Sequence, residues 1–180
     1  MLKNETDKTA LKSSIICFII TVALGSLLHF TYDWSGQNSI VGLFSAVNES
    51  TWEHIKLLFI PFLLCTIVEN IVFGRYYRNF FFSRLVGVLA GMFFIVSAFY
   101  TYTGIIGKNF SFIDITLFVI GALISYGISL LMLLYHQKRK VDGILECISI
   151  FALAIICAFF FIFTYYPPSL AIFQNPTTIK

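Results

Sequence analysis

Charge is what this chain has least of: of 180 residues only 12% are charged, against roughly a quarter in an ordinary soluble domain. A soluble fold of this length would need polar surface that the chain does not possess, so that class is excluded. Histidine is scarce, with 3 residues, and no HExxH spacing links any of them. The 4 cysteines form no CxxC pair, which argues against a dithiol redox centre or a paired-cysteine zinc site. Cys17, Cys65, Cys147 and Cys157 all fall in apolar runs and read as small buried hydrophobes rather than disulfide partners. No glycine-rich phosphate loop is present, and the basic residues are scattered, so neither nucleotide nor nucleic-acid binding is expected.

What fills the chain instead is apolar: 58% hydrophobic residues, 21 Phe and a mean hydropathy of +0.88. Lipid accepts apolar surface on every side of a helix, so the composition predicts an all-α integral membrane protein folded as a single domain over 1–180. Five apolar segments, at roughly 13–31, 53–73, 84–104, 113–136 and 145–166, each approach the ~20 residues that cross a bilayer. The last should stop before Pro167-Pro168, and Pro61 should kink the second. The first run has signal-peptide features, with Lys3, Lys8 and Lys12 before it and Ala23-Leu24-Gly25 within it. It continues through Phe30, longer than a usual signal core, which favours a membrane helix.

Orientation follows from the basic residues. Lys3, Lys8 and Lys12 precede the first segment, Arg75, Arg78 and Arg84 follow the second, and Lys138, Arg139 and Lys140 follow the fourth. The positive-inside rule then puts the N-terminus in the cytoplasm and the tail at 167–180 outside. The first connection, roughly 32–52, falls outside with it and has no Lys or Arg. Tyr32, Trp34 and Trp52 suit its lipid–water boundary. Residues 40–47 are too few to cross, so they either lie in the interface or dip into the bundle.

That outer rim gathers ionisable groups. His29 and Asp33 are spaced i,i+4 on one helix face, and Asn48, Glu49, Glu53 and His54 bracket the start of the second helix. Asp114 enters at the same level. Part of this has a structural reading: Ser50 and Glu53 match a capping box, with the carboxylate reaching back to the Ser50 amide, and Glu53 can also pair with Lys56. The remainder suits zinc, which takes imidazole nitrogen and carboxylate oxygen. His29, Asp33 and His54 are the expected ligands, with Glu49 as an alternative carboxylate. Asn48, Glu49 and Asp114 would line a polar substrate site, and Glu53 would be a base for bound water, in a hydrolase of a membrane lipid or other amphiphile.

The motifs HFTYDWSG (His29 to Gly36), VNESTWEHIK (Val47 to Lys56) and FTYYPPSLAIFQNP (Phe163 to Pro176) resemble those of a family of small multi-pass membrane proteins from Gram-positive bacteria, catalogued as a domain of unknown function. The resemblance spans nearly the whole chain. It implies a membrane protein, with His29, Tyr32, Trp34, Asn48, Glu49, Ser50, Trp52, Glu53, His54, Pro167 and Pro168 as family features, and supplies no activity. A more distant similarity is to intramembrane hydrolases of the alkaline ceramidase type, which hold zinc with several histidines. This chain departs from that pattern, since its third histidine, His136, lies at the opposite end of the fourth segment.

Two other function classes fit the composition. A transporter would use Glu69, which lies 15 residues past His54, or about 22 Å along a helix, and so belongs to the inner half. With only five helices a pore would need a homo-oligomer, and no internal repeat is visible. A non-enzymatic assembly partner is the other. The plainer reading of Glu69 pairs it with Arg75 or Arg78, that of Glu146 with the Lys138-Arg139-Lys140 run, and that of His136 with a polar helix end. Ser83, Gly87 and Gly91 form one small-residue stripe and Gly121, Ser125 and Ser129 another, which permits close helix approach in any of these classes.

Overall fold

The structure, a computed structural model, describes residues 5–135 and 143–175. His136 and the Lys138-Arg139-Lys140 run lie outside the described residues, as do Lys3 and Lys180. Six helices are seen: α1 (Glu5–Trp34), α2 (Ser39–Gly42), α3 (Thr51–Val72), α4 (Phe80–Ile106), α5 (Ser111–Tyr135) and α6 (Gly143–Tyr165). All but α2 are long and apolar enough to cross a membrane, and the described residues contain no strand. The helices run past the apolar segments because polar first and last turns continue the backbone hydrogen bonding. α1 extends back to Glu5, and its 30 residues reach about 45 Å.

α1, α4 and α6 end where α3 and α5 begin, so the bundle has one face carrying the histidines and an opposite face. α3 is the most enclosed span, 61% buried, whereas α1 and α6 are each 22% buried and turn most of their surface outward. Its core contacts centre on Phe59 and Phe62, with Val88, Ile95, Tyr126 and Phe160 from the neighbouring helices. Pro61 sits within the unbroken α3. Its missing N–H leaves the Leu57 carbonyl without a helical donor, and Gly25 of α1 backs onto that oxygen, where a Cβ would stand 2.7 Å away.

The two small-residue stripes meet each other. A Cβ on Gly91 of α4 would lie 1.9 Å from Ser125 Oγ and 2.4 Å from the Gly121 carbonyl of α5. Gly91→Val should therefore force the helices apart and lower stability by about 1–3 kcal/mol or more, read as earlier unfolding in a denaturing-detergent titration. Gly104→Ala, at a position with nothing within 4 Å, is the matched substitution expected to leave stability intact or raise it. Equal effects at both positions would contradict tight α4–α5 packing.

On the face opposite the histidines, the pairing of Glu69 differs from the sequence expectation. Glu69 meets neither Arg75 nor Arg78 but Arg84 of α4, Nη2 to Oε2 at 2.8 Å, with both side chains wholly buried. Arg84 Nη1 also donates to Ser129 Oγ (3.0 Å), and its guanidinium lies 5.1 Å from the Phe80 ring centre. Arg84 thus belongs to the bundle interior rather than to the connection in which its charge was counted. The two oxygens of Glu146 accept from the Phe81 (2.9 Å) and Phe82 (3.1 Å) amides, closing the first turn of α4 from α6; its expected basic partners lie outside the described residues. Tyr77 OH donates to the buried Asp7 Oδ1 (2.9 Å).

Candidate functional site

Between α1 and α3 the chain makes a short excursion built from its own polar residues. Asn38 Oδ1 accepts from Ile40 and Val41 amides and starts α2. Ser45 Oγ then accepts from Thr31 Oγ1 and the Tyr32 amide, each at 3.0 Å, and donates to the Leu28 carbonyl. These bonds pin the excursion to the turn of α1 that carries His29. Segment 40–47 packs on the end of the bundle through its own Gly42, Ser45 and Ala46, all buried.

A second attachment comes from α3. Lys56, wholly buried, donates to three acceptors: Glu53 Oε2 (2.6 Å), the Gly42 carbonyl (2.9 Å) and Thr164 Oγ1 (2.8 Å). An ammonium has three protons to give, so this set satisfies it. The Val47 amide donates to Glu53 Oε2 (3.1 Å), and Thr164 Oγ1 lies 3.1 Å from Glu53 Oε1. The expected capping box is accordingly half formed. Ser50 Oγ accepts from the Glu53 amide (3.4 Å), but the Ser50 amide is satisfied by Asn48 Oδ1 (2.8 Å) while Glu53 reaches Val47. The expected Glu53–Lys56 pair is present.

With the excursion held at both ends, Glu49 hangs over the first turn of α3. Its Oε2 lies 3.6 Å from His54 Nε2 and its Oε1 3.9 Å from His29 Nε2, and the two imidazole centres are 5.3 Å apart. One ligand atom from each of His29, Glu49 and His54 falls within 4.8 Å of the other two. His54 Nδ1 sits 2.9 Å from the Ser50 carbonyl; a carbonyl only accepts, so Nδ1 carries a proton, and the neutral form of the ring has its lone pair at Nε2, on the side of Glu49. That is the tautomer a metal requires, fixed by the kind of outer support that metal-binding histidines usually have. His29 Nδ1, in contrast, is enclosed without a hydrogen-bond partner.

Other expected site residues stand apart from this group. Asp33 is exposed at the end of α1 and is not among the three converging residues: an i,i+4 spacing aligns it with His29 along the helix, but the excursion brings Glu49 in from the side. Glu53 precedes His54 by one residue, about 100° around α3, and its carboxylate, 2% exposed, is taken up by Lys56, Val47 and Thr164. That geometry does not offer it to a water at the histidines. Asn48, exposed, accepts from the Ser50 amide through Oδ1. The sequence pairs Lys56 with Glu53 but gives no sign of its other two acceptors, and Ser45 and Thr164 carry no signal in sequence beyond being hydroxyls in apolar surroundings.

A slot opens beside Glu49 and His54, between α3, α4 and α5. Its polar rim is completed by Thr51, Asn109 and Asp114, and its floor by Ile95, Phe99, Leu117 and Phe118. Tyr102 OH donates to Asp114 Oδ1, and Asn109 Nδ2 lies 3.4 Å from Oδ2. Trp52, on the other side of α3, packs at 4.6 Å on Phe160 and 4.8 Å on Phe173, fastening the turn Ala171–Phe173 to the bundle rather than sitting free at a boundary. The arrangement supplies two imidazoles and a carboxylate at the mouth of a cleft that is polar above and apolar below.

No curated protein and no solved structure matches the chain. A family model does, over residues 2–180. With its all-helical bundle and five apolar spans, the chain belongs to DUF6512, a family of unknown function.

Proposed function

We propose that His29, Glu49 and His54 bind a zinc-class divalent ion and that the protein hydrolyses an amphiphile at the outer surface of a bacterial cytoplasmic membrane. The observation that carries this reading is the convergence of the three ligand atoms within 4.8 Å beside the slot. Tetrahedral zinc bonds of about 2.0–2.2 Å put ligand atoms roughly 3.3 Å apart. The exposed Glu49 side chain, 68% accessible, has room to shorten its own distances of 3.9 and 3.6 Å to the two histidines. Two histidines and one carboxylate leave a fourth position, the arrangement of catalytic rather than structural zinc. A metal there would lower the pKa of bound water to about 7 and polarise a carbonyl. The chain itself supplies the ligand set, the His54 tautomer and a slot that seats a polar head at the rim and a chain in the apolar floor.

The outer placement rests on Lys8, Lys12, Arg75 and Arg78 at the opposite end and on the absence of Lys or Arg from the excursion. A transport reading would use Glu69, but its buried contact with Arg84 at 2.8 Å favours a packing role.

Purified in a mild nonionic detergent and loaded with zinc, the protein should bind the ion stoichiometrically. His29→Ala and His54→Ala should each lose more affinity than the about 10- to 100-fold that removal of a supporting group produces, and both should abolish metal-dependent cleavage of ester- or amide-linked amphiphiles. Acidification should release the metal, because imidazole must be neutral to ligate. Absence of saturable zinc uptake, or uptake unchanged in both variants, would falsify the metal assignment.

A further inference from the structure

One side of α3 changes character halfway along, and we infer that its second half is a docking groove for a phospholipid with an anionic head, in the leaflet opposite the histidines. Leu64, Ile67, Val68 and Ile71 follow i, i+3, i+4, i+7 spacing and so form one stripe. All four are exposed, Leu64 at 54% and Ile71 at 72%. Continued toward the histidines, the same stripe reads Leu57, Ile60 and Pro61, and these are buried. There Gly25 of α1 closes on the Leu57 carbonyl and the excursion is tied down at Lys56. The exposure from Leu64 onward has a cause in α6, which meets α3 near its own end, through Thr164 and Lys56, but meets α4 near its start, through Glu146 and the Phe81 and Phe82 amides. It leaves α3 as it descends.

Length and charge decide what fills the space. From Leu64 to Val72 the exposed run covers about 12 Å of helix, near the roughly 15 Å of hydrocarbon in one leaflet. That suits an acyl chain. A helix from a second copy would need the face to continue across both leaflets and would approach on small residues; this face stops midway and has none. At its foot stand Arg75 and Arg78, both exposed and neither in an ion pair among the described residues. Arg75 lies 5.0 Å from the Tyr76 ring centre and spends one donor on the Tyr76 hydroxyl (3.0 Å). A guanidinium has five N–H groups, so the others can meet phosphate oxygens. The acids of this end are turned away: Glu5 pairs with Lys8, Glu69 with Arg84, and Asp7 is buried. A zwitterionic lipid fits the stripe equally well, but its head brings a cation toward the arginines, whereas an anionic head brings none.

The test uses two phospholipids with the same diazirine-tagged acyl chains, a phosphatidylglycerol and a phosphatidylcholine, at trace level in phosphatidylcholine nanodiscs holding the full-length protein. Phosphatidylglycerol should label Leu64, Ile67, Val68 or Ile71 about 5- to 25-fold more, the factor for one to two basic residues near a membrane surface. Phe93 of α4 and Phe151 of α6, exposed elsewhere on the bundle, should be labelled equally by both. Arg75→Gln/Arg78→Gln should erase the excess, while Lys108→Gln, a charge lost from the histidine side, should leave it. Equal labelling of the stripe, an excess of the same size at Phe93 and Phe151, or an excess kept in a double arginine variant shown by circular dichroism to be folded overturns the inference. A stripe protected from both lipids, in protein that cross-links to itself through Val68→Cys, overturns it in favour of a second copy.

Discussion

Arg84→Met lowers stability by about 3–5 kcal/mol, the cost of stranding a buried charge when its partner is removed. Glu69 is wholly buried against Arg84, and neither carboxylate oxygen has a hydrogen-bond partner of good geometry. The pair touches at short distance without the aligned bonds that would repay its desolvation in full. It follows that Glu69→Gln/Arg84→Met should recover most of the loss, because both charges leave together. Reversible unfolding in mixed micelles measures this, with Arg84 Nη1 and Ser129 Oγ accounting for part of the single-variant effect. A double variant as unstable as Arg84→Met alone would mean that the guanidinium acts through packing against Phe80 rather than through its charge.

Lys56→Met has an effect of similar size, about 3–5 kcal/mol, at the other end of the bundle. It leaves Glu53 buried with only the Val47 amide and Thr164 beside it, and leaves the Gly42 carbonyl without its donor. Its distinguishing result is functional. Glu49 belongs to the excursion that Lys56 ties down, so releasing that tie lets the carboxylate drift from the histidines and weakens zinc uptake by about 10- to 100-fold, even though Lys56 touches none of the three ligands. Lys56→Arg should not restore it, since a planar fork cannot direct three bonds to the carboxylate, carbonyl and hydroxyl. The clamp is refuted if Lys56→Met keeps parental stability and parental zinc affinity.

These two buried pairs mark the division between what a linear reading reaches and what it does not. Apolar runs of membrane length predict α1, α3, α4, α5 and α6 because burial in lipid depends on the residue and its neighbours in sequence alone. Depth is equally legible: His29, Glu49 and His54 fall at one level and Glu69 at another by counting along helices. Lateral partner choice is different, since Arg84, not the nearer Arg75 or Arg78, meets Glu69 through the way α3 packs on α4. Asp33 shows the same limit from the other side. Helical spacing favoured it as the acid beside His29, but hydrogen bonds from Ser45 to α1 and from Lys56 to Gly42 bring Glu49 there instead.

The last span has a consequence for how the chain is built. α6 is among the least enclosed of the five spans, yet Glu146 near its start holds the opening amides of α4, and Thr164 near its end meets Lys56 and Glu53. Eighteen residues separate these two groups, about 27 Å of helix, close to the thickness of the hydrocarbon layer. Each works as a bolt at one rim of the membrane, shot by the final helix into elements made long before it. During synthesis, then, α4 stays uncapped and the Lys56 clamp stays incomplete until α6 inserts. Termination before Gly143 would yield a chain with four of its five crossings and neither bolt.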